Sequence, residues 1–274
     1  MKKQLFILFL FITATSFSQS VKTEFTSHNV KEKSEKKLAF KDGEWLKFRM
    51  SYSNFLNAGY STIEVNEIQD KGLKAFHIKG NGKSTGLVSL FFKVKDDYQT
   101  YMYKESLKPY RFIRKIDEGG YTKDQEIFFD YATNEATVKN YKHKTESKHP
   151  ISSDIQDILS SLYFLRNQNL TNLKIGQEIE IQMFFDDEIN SFKLHFLGKE
   201  VIKTKFGKIS TLAFRPMVQA GRVFKEQESL TIWVSDDLNK IPLKIKADLA
   251  IGSLRADLDA FKGLAHPFNI IFDN

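Results

Sequence analysis

The chain has 274 residues, no cysteine and a formal charge of +7. Without cysteine, disulfides, thiolate metal sites and a cysteine-linked lipid anchor are excluded, so this is not a lipoprotein of that kind. The lysines are spread along the chain rather than clustered beside a motif, which reads as a solvated basic surface and not as a nucleic-acid footprint; weak attraction to anionic lipid or polysaccharide is the alternative.

Lys2 and Lys3 precede an apolar run over 5–12, and the small residues Ser16 and Ser18 follow it. A positive start, a short apolar core and small residues at the cleavage site describe a secretory signal peptide, 1–18, cut after Ser18 or after Ser20. The run is shorter than the ~20 residues that span a bilayer. The expected mature chain is exported to the periplasm or beyond, has no transmembrane anchor and loses two of its lysines, which leaves +5. Residues 19–39 are polar, lysine-rich and without period, and predict a flexible leader.

From Phe40 to the end, 40–274, the chain reads as one β-rich domain. In Trp45-Leu46-Lys47-Phe48-Arg49-Met50-Ser51-Tyr52, apolar and polar residues alternate as in a half-buried strand. Asn57-Ala58-Gly59 predicts a turn. Further strands are expected over 61–68, 73–78, 87–94, 98–103, 110–116, 126–131 and 136–141. The segment 153–166 instead carries Ile155, Ile158, Leu159, Leu162 and Leu165 at helical spacing, with Ser153 and Gln156 as a capping box. Alternation resumes over 178–185, 191–197, 208–214, 229–234, 243–249 and 254–261. The predicted class is all-β and mostly antiparallel: strongly curved sheets, or an open half-barrel or sandwich, with one amphipathic helix.

An offset of 133 lays Gly43-Glu44-Trp45 over Gly176-Gln177-Glu178, and Pro109-Tyr110 over Pro242-Leu243. The equal spacing suggests two related halves, 40–150 and 170–274, joined by the helix 153–166. Chance alternation would look similar.

The familiar catalytic and nucleotide motifs fail on inspection. His77-Ile78-Lys79-Gly80-Asn81-Gly82-Lys83-Ser84-Thr85-Gly86 contains both G-x-G-K-S-T and G-x-S-x-G. A P-loop needs a glycine where His77 stands and a helix next, whereas 87–94 reads as a strand, so no nucleotide is expected. A nucleophile elbow at Ser84 needs a strand-turn-helix, and His266 alone does not supply a triad. The glycines read as a polar connection between strands. The six histidines show no metal-ligand spacing, and His143 and His149 flank a lysine-rich loop. Asp96-Asp97, Asp186-Asp187-Glu188 and Asp236-Asp237 are placed at strand ends, where carboxylates shape turns. No metal and no cofactor is expected.

Aromatic residues are more suggestive, with 25 phenylalanines in the chain. Tyr101 and Tyr103 share a face of one expected strand, and Tyr110 and Phe112 share a face of the next. With Phe92 they form a candidate concave surface for an acyl chain or a sugar, against the simpler reading of a sheet core.

Three segments carry a resemblance to a known family. The start Gly43-Glu44 with Gly59, the helix Asp157-Ile158-Leu159-Ser160-Ser161-Leu162-Tyr163-Phe164-Leu165-Arg166, and the end Trp233-Val234-Ser235-Asp236-Asp237 with Pro242 resemble the bacterial domain-of-unknown-function family 3108. The resemblance implies an exported, mostly β protein and brings no catalytic residues. It leaves Trp233 to pack in a hairpin, Asp236 and Asp237 to shape a turn, and Pro242 to restart an edge strand. The expected function is non-enzymatic: binding a lipid or glycan, or assisting envelope assembly. The alternatives are a hydrolase of envelope polymers acting through a carboxylate pair, and a structural or protein-interaction module.

Overall fold

The computed structural model describes residues 37–53, 56–217, 230–249 and 252–272. The expected signal peptide and most of the expected leader lie outside these residues. Leu38 and Ala39, at the leader's end, are built into the core: the Ala39 N–H donates to Asn167 Oδ1 at 3.0 Å and Ala39 itself is buried.

Among the described residues, fourteen strands and two helices follow one another. In order they are β1 (Trp45–Tyr52), β2 (Leu56–Asp70), β3 (Leu73–Ser84), α1 (Gly86–Phe91), β4 (Val94–Tyr103), β5 (Pro109–Glu118), β6 (Tyr121–Asp130) and β7 (Glu135–Asn140). Then come β8 (Thr145–Pro150), α2 (Ile158–Arg166), β9 (Glu178–Phe185), β10 (Glu188–Thr204), β11 (Gly207–Pro216), β12 (Leu230–Ser235), β13 (Pro242–Asp248) and β14 (Ser253–Lys262). All strands belong to one antiparallel sheet in the order β8-β7-β6-β5-β4-β3-β2-β1-β14-β13-β12-β11-β10-β9.

The sheet is open but strongly curled. Strand β5 and the β9–β10 turn stand ten places apart in that order, which would be about 48 Å in a flat sheet with strands ~4.8 Å apart. Yet Arg114 on β5 reaches Asp186 in that turn at 2.6 Å. Helix α2 lies inside the curl and packs on β3 and β4 from one side and on β9 from the other.

Shifted by 133 residues, β1 to β6 fall on β9 to β14 to within three residues at either end. The two runs meet where β1 pairs with β14 through the backbone. At the opposite seam, between β6 and β9, the sheet is not joined. The β7–β8 hairpin extends β6, and Gln156 makes an isolated parallel bridge to Met183 on β9. Side-chain bonds complete this seam, from Arg114 and Lys123 to Asp186 and from Gln125 to Asp187.

The alternation fixed most strand positions, and the structure corrects several others. The run 87–94 is not a strand. Leu87, Leu90 and Phe91 also fit an i, i+3, i+4 pattern, an ambiguity that short apolar runs carry, and the chain takes the helical option in α1. The glycine-rich stretch is no connection: Gly80 and Gly82 lie inside β3. A Cβ on Gly80 would come within 3.2 Å of Leu159 Cδ2, so the missing side chain lets α2 sit down on the sheet. Although a helix does follow this glycine stretch, β3 is antiparallel to both neighbours and the P-loop pattern stays incomplete. Asn57-Ala58-Gly59 is not a turn but part of β2, and a Cβ on Gly59 would lie 2.1 Å from the Lys83 carbonyl oxygen. Strand β8 was missed because its side chains are mostly exposed and polar, as on a protected sheet edge. Asp96 and Asp97 lie within β4, not at a strand end.

Candidate functional site

The helix expected over 153–166 begins later, at Ile158, and Asp157 is its N-cap instead of Ser153. The Asp157 carboxylate accepts from the N–H groups of Leu159 and Ser160 at 2.8 and 2.9 Å, while Ser160 Oγ accepts from the Asp157 N–H at 2.8 Å. Residues before the cap are taken up by β9, where Gln156 N–H donates to the Gln182 carbonyl at 2.9 Å. Thr100 Oγ1 also donates to Asp157. Burial outweighs these donors and pushes the Asp157 carboxyl up to about 6.

The other end of α2 is locked by a buried ion pair. Arg166 Nη1 and Nη2 meet the two Glu44 carboxylate oxygens at 2.6 and 2.7 Å, a forked geometry that suits guanidinium and carboxylate. The remaining donors go to the carbonyls of Ala39 and Asn239 at 3.0 and 2.9 Å, and Tyr163 Oη donates to Glu44 at 3.3 Å. Burial opposes the charge on Arg166, but the Glu44 carboxylate outweighs it and holds the guanidinium above its ordinary range. Asn239 belongs to the turn after β12, where Asp237 Oδ1 accepts from Ser235 Oγ and from the N–H groups of Asn239 and Lys240. Residues from all three quoted segments, far apart in sequence, therefore meet around one helix end. Their role there is anchorage. Strand β13, however, is interior, flanked by β12 and β14, so Pro242 begins a central strand; its missing N–H is tolerated at the first position, where the register also shifts. Trp233 is half-buried, and its indole N–H donates to Glu200.

With α2 fixed, an apolar cavity of about 180 Å³ remains between the helix and the concave sheet. Ile158, Ser161, Leu162 and Leu165 form its helical wall, and Phe48, Met50, Phe192, Leu194, Phe214, Ile245 and Ala256 stand among the sheet residues opposite. An apolar space of about 150 Å³ stays dry and admits a benzene ring, so this one suits a slender hydrocarbon segment rather than a bulky ligand. Four polar residues reach its lining: Ser61, Ser161, Arg166 and Lys240. Ser161 Oγ is spent on the Ile158 carbonyl, and Arg166 is held by Glu44. Lys240 forms no ion pair with any described residue. Burial pushes its ammonium below the ordinary lysine range; Asp237 opposes this and Arg166 adds to it.

A second buried cluster lies on the inward row of β4 and β5. The carboxyls of Asp96 and Glu118 are neighbours, and no N–H or O–H of a described residue reaches Asp96 Oδ1 or either Glu118 oxygen. A proton shared between the two carboxyls would supply the missing donor. Burial, and then the Asp96 charge, push Glu118 up to about 8; burial likewise pushes Asp96 to about 6. Arg114 stands beside them, with its guanidinium 4.5 Å from the Phe185 ring centre. Neither carboxyl lines the cavity. Among the described residues, no group of three or more histidines or carboxylates is placed to hold a metal ion, and no helix is long and apolar enough to cross a membrane.

The five aromatic residues singled out from the sequence separate. Tyr101 and Tyr103 do share a face, but it is the outer face of β4. Opposite them the register shifts, pairing Tyr101 with Arg111 and Met102 with Pro109, so Tyr110 is an extra residue in a bulge. Its ring therefore turns outward, 4.8 Å from Tyr103 and 6.1 Å from Tyr101, whereas Phe112 points inward and packs near Tyr98. His77 stacks on Tyr101 at 4.3 Å and extends the outer row. Phe92 lies against Gly119. None of the five lines the cavity. Lys240 and the Asp96–Glu118 pair were missed, although Glu118 stands at i+6 from Phe112, on the same strand parity.

One of the solved structures similar to this chain shares its fold. A β-barrel-like protein of the domain-of-unknown-function family DUF1849 from Brucella abortus superposes with a TM-score of 0.53 at 10% identity, over 81% of this chain and 98% of that one. A DUF1089 family protein from Pseudomonas aeruginosa gives 0.36 at 9% identity over 67% and 87%. A candidate lipoprotein from Parabacteroides distasonis gives 0.33 at 10% over 82% and 99%. No functionally curated protein matches the chain. The model of the family described as "Protein of unknown function (DUF3108)" matches residues 47–259, and the chain belongs to that family.

Proposed function

We propose that the protein is an exported, non-enzymatic component of the cell envelope that holds the single apolar chain of an anionic amphiphile, such as a fatty acid, in the cavity beneath α2. The observation that carries this reading is Lys240, a cation without an ion-pair partner among the described residues, at the lining of a mainly apolar space. A hydrocarbon chain would replace empty volume, and its acidic head would give the ammonium a counter-charge. The test is a titration with a medium-chain fatty acid, whose tail matches a space of this size. Wild type should bind saturably at one site, Lys240→Glu should bind at least tenfold more weakly, and Ala256→Phe, which fills the space, should not bind. Equal binding by all three would end the proposal.

A glycan reading rests on a different surface, the half-exposed outer row of His77, Tyr101, Tyr103 and Tyr110. Aromatic faces stack on the apolar face of a sugar ring. Loss of envelope polysaccharide binding in Tyr101→Ala, with fatty-acid binding intact, would favour it.

A further inference from the structure

Helix α1 buries none of its residues. Its Leu87, Leu90 and Phe91 are 64%, 77% and 88% exposed. Their i, i+3, i+4 spacing puts them on one face. The segment is nevertheless held in place. Val88 packs against the core, the Thr85 N–H donates to the Ala58 carbonyl at 3.1 Å, and the Val94 N–H donates to Ser84 Oγ at 2.9 Å. An anchored apolar knob therefore stands at the rim of the curled sheet.

The surroundings of the knob are basic. Lys83, Lys93 and Lys95 are all exposed, and none forms an ion pair with a described residue. Lys83 and Lys95 stand directly opposite each other in the β3–β4 ladder. Like charges in that position repel and weaken a sheet. Asp117, opposite Lys95 on the other side, is the acid set against this group. The isolated molecule thus keeps two unfavourable features side by side, an uncovered apolar face and a cluster of three lysines facing a single acid. A surface that is apolar within and anionic at its boundary would relieve both.

We propose that α1 docks the protein onto the surface of a bilayer containing anionic lipid, with Leu87, Leu90 and Phe91 entering the interface and Lys83, Lys93 and Lys95 lying at the headgroups. Interfacial helices bury an apolar face roughly 5–10 Å deep, within reach of a single-turn knob. Each lysine near such a surface strengthens binding about fivefold, the equivalent of ~1 kcal/mol. This is independent of what occupies the cavity.

The test is co-sedimentation of the full chain with phosphatidylcholine vesicles made with and without phosphatidylglycerol. Residues 1–36 are common to all variants, so differences between them report on α1 and its lysines. Wild type should bind the anionic vesicles and release as salt is raised. Leu90→Ser with Phe91→Ser should lower partitioning at least tenfold. Replacing the three lysines by serine should cost about a hundredfold on anionic vesicles and leave neutral ones unaffected. Thermal unfolding should match wild type, since every altered side chain is exposed; the salt dependence of wild type needs no variant. The proposal fails if wild type does not bind, if binding ignores both lipid charge and salt, or if the variants partition like wild type. A photo-crosslinker at position 90 that captures a protein rather than lipid in intact cells would also overturn it, in favour of a protein partner.

Discussion

Replacing Glu118 by glutamine should make the protein more stable in alkali, the reverse of what losing a buried side chain normally does. In the folded chain the Glu118 carboxyl is pushed up from 4.5 to about 8, and that of Asp96 from 3.8 to about 6. Both folded values lie above the unfolded ones, so the folded state holds more protons between about pH 4 and pH 8. Stability contributed by the protonated pair is complete at low pH and is lost as pH rises through that window. One pH unit of displacement corresponds to roughly 1.4 kcal/mol. Between pH 5 and pH 9 the Glu118 displacement spans about three pH units, an upper bound of about 4 kcal/mol, which would shift the melting temperature by about 8–16 °C for a domain of this size. A glutamine amide can donate to Asp96 without a proton to lose. Circular dichroism melts from pH 5 to pH 9 should show wild type losing melting temperature across the range. Glu118→Gln should give a flatter profile and a higher value at pH 9. Parallel profiles, or a variant weakened equally at every pH, would show that Glu118 is ionised and paired in the folded protein and would refute the reasoning.

Other substitutions probe the frame of the cavity. Arg166→Ala leaves the Glu44 carboxylate buried without its counter-charge and should cost about 3–5 kcal/mol in denaturant unfolding, whereas Glu44→Leu with Arg166→Met should recover much of that. Asp157→Ala removes the cap of α2 and the partner of Thr100, with an expected loss of about 2 kcal/mol by the same assay. Gly59→Ala forces a Cβ against the Lys83 carbonyl and should be among the most damaging single changes, judged by soluble yield and melting temperature.

The class of fold was legible because a half-buried antiparallel strand writes its two faces into alternate residues, as 46–50 does before the register shift at Ser51 buries that residue. What alternation cannot say is which row faces in. Tyr101 and Tyr103 looked like the lining of a concave surface, yet the inward row is Tyr98, Thr100 and Met102, and the bulge at Tyr110 reverses one parity that had seemed secure. Helix α2 was visible from Ile158, Leu162 and Leu165, but Ser153 and Asp157 both resemble caps. Pairing of Gln156 with Met183, a contact nearly thirty residues away, decided between them. The candidate cavity was illegible for a similar reason. Its wall combines β1, β2, the strands β9 to β14 and α2, and Lys240 reaches it from a turn whose shape depends on Asp237. By contrast, the glycines of β3 attracted notice as a motif, while the task of Gly80, admitting Leu159, depends on a helix some eighty residues later.

The most direct test of the proposed function is native mass spectrometry of the protein isolated from its own envelope. One single-chain anionic amphiphile should accompany each protein molecule and be absent from Ala256→Phe prepared in the same way. Recovery of bare wild-type protein that also fails to take up added fatty acid, or of the same ligand on Ala256→Phe, would contradict the account.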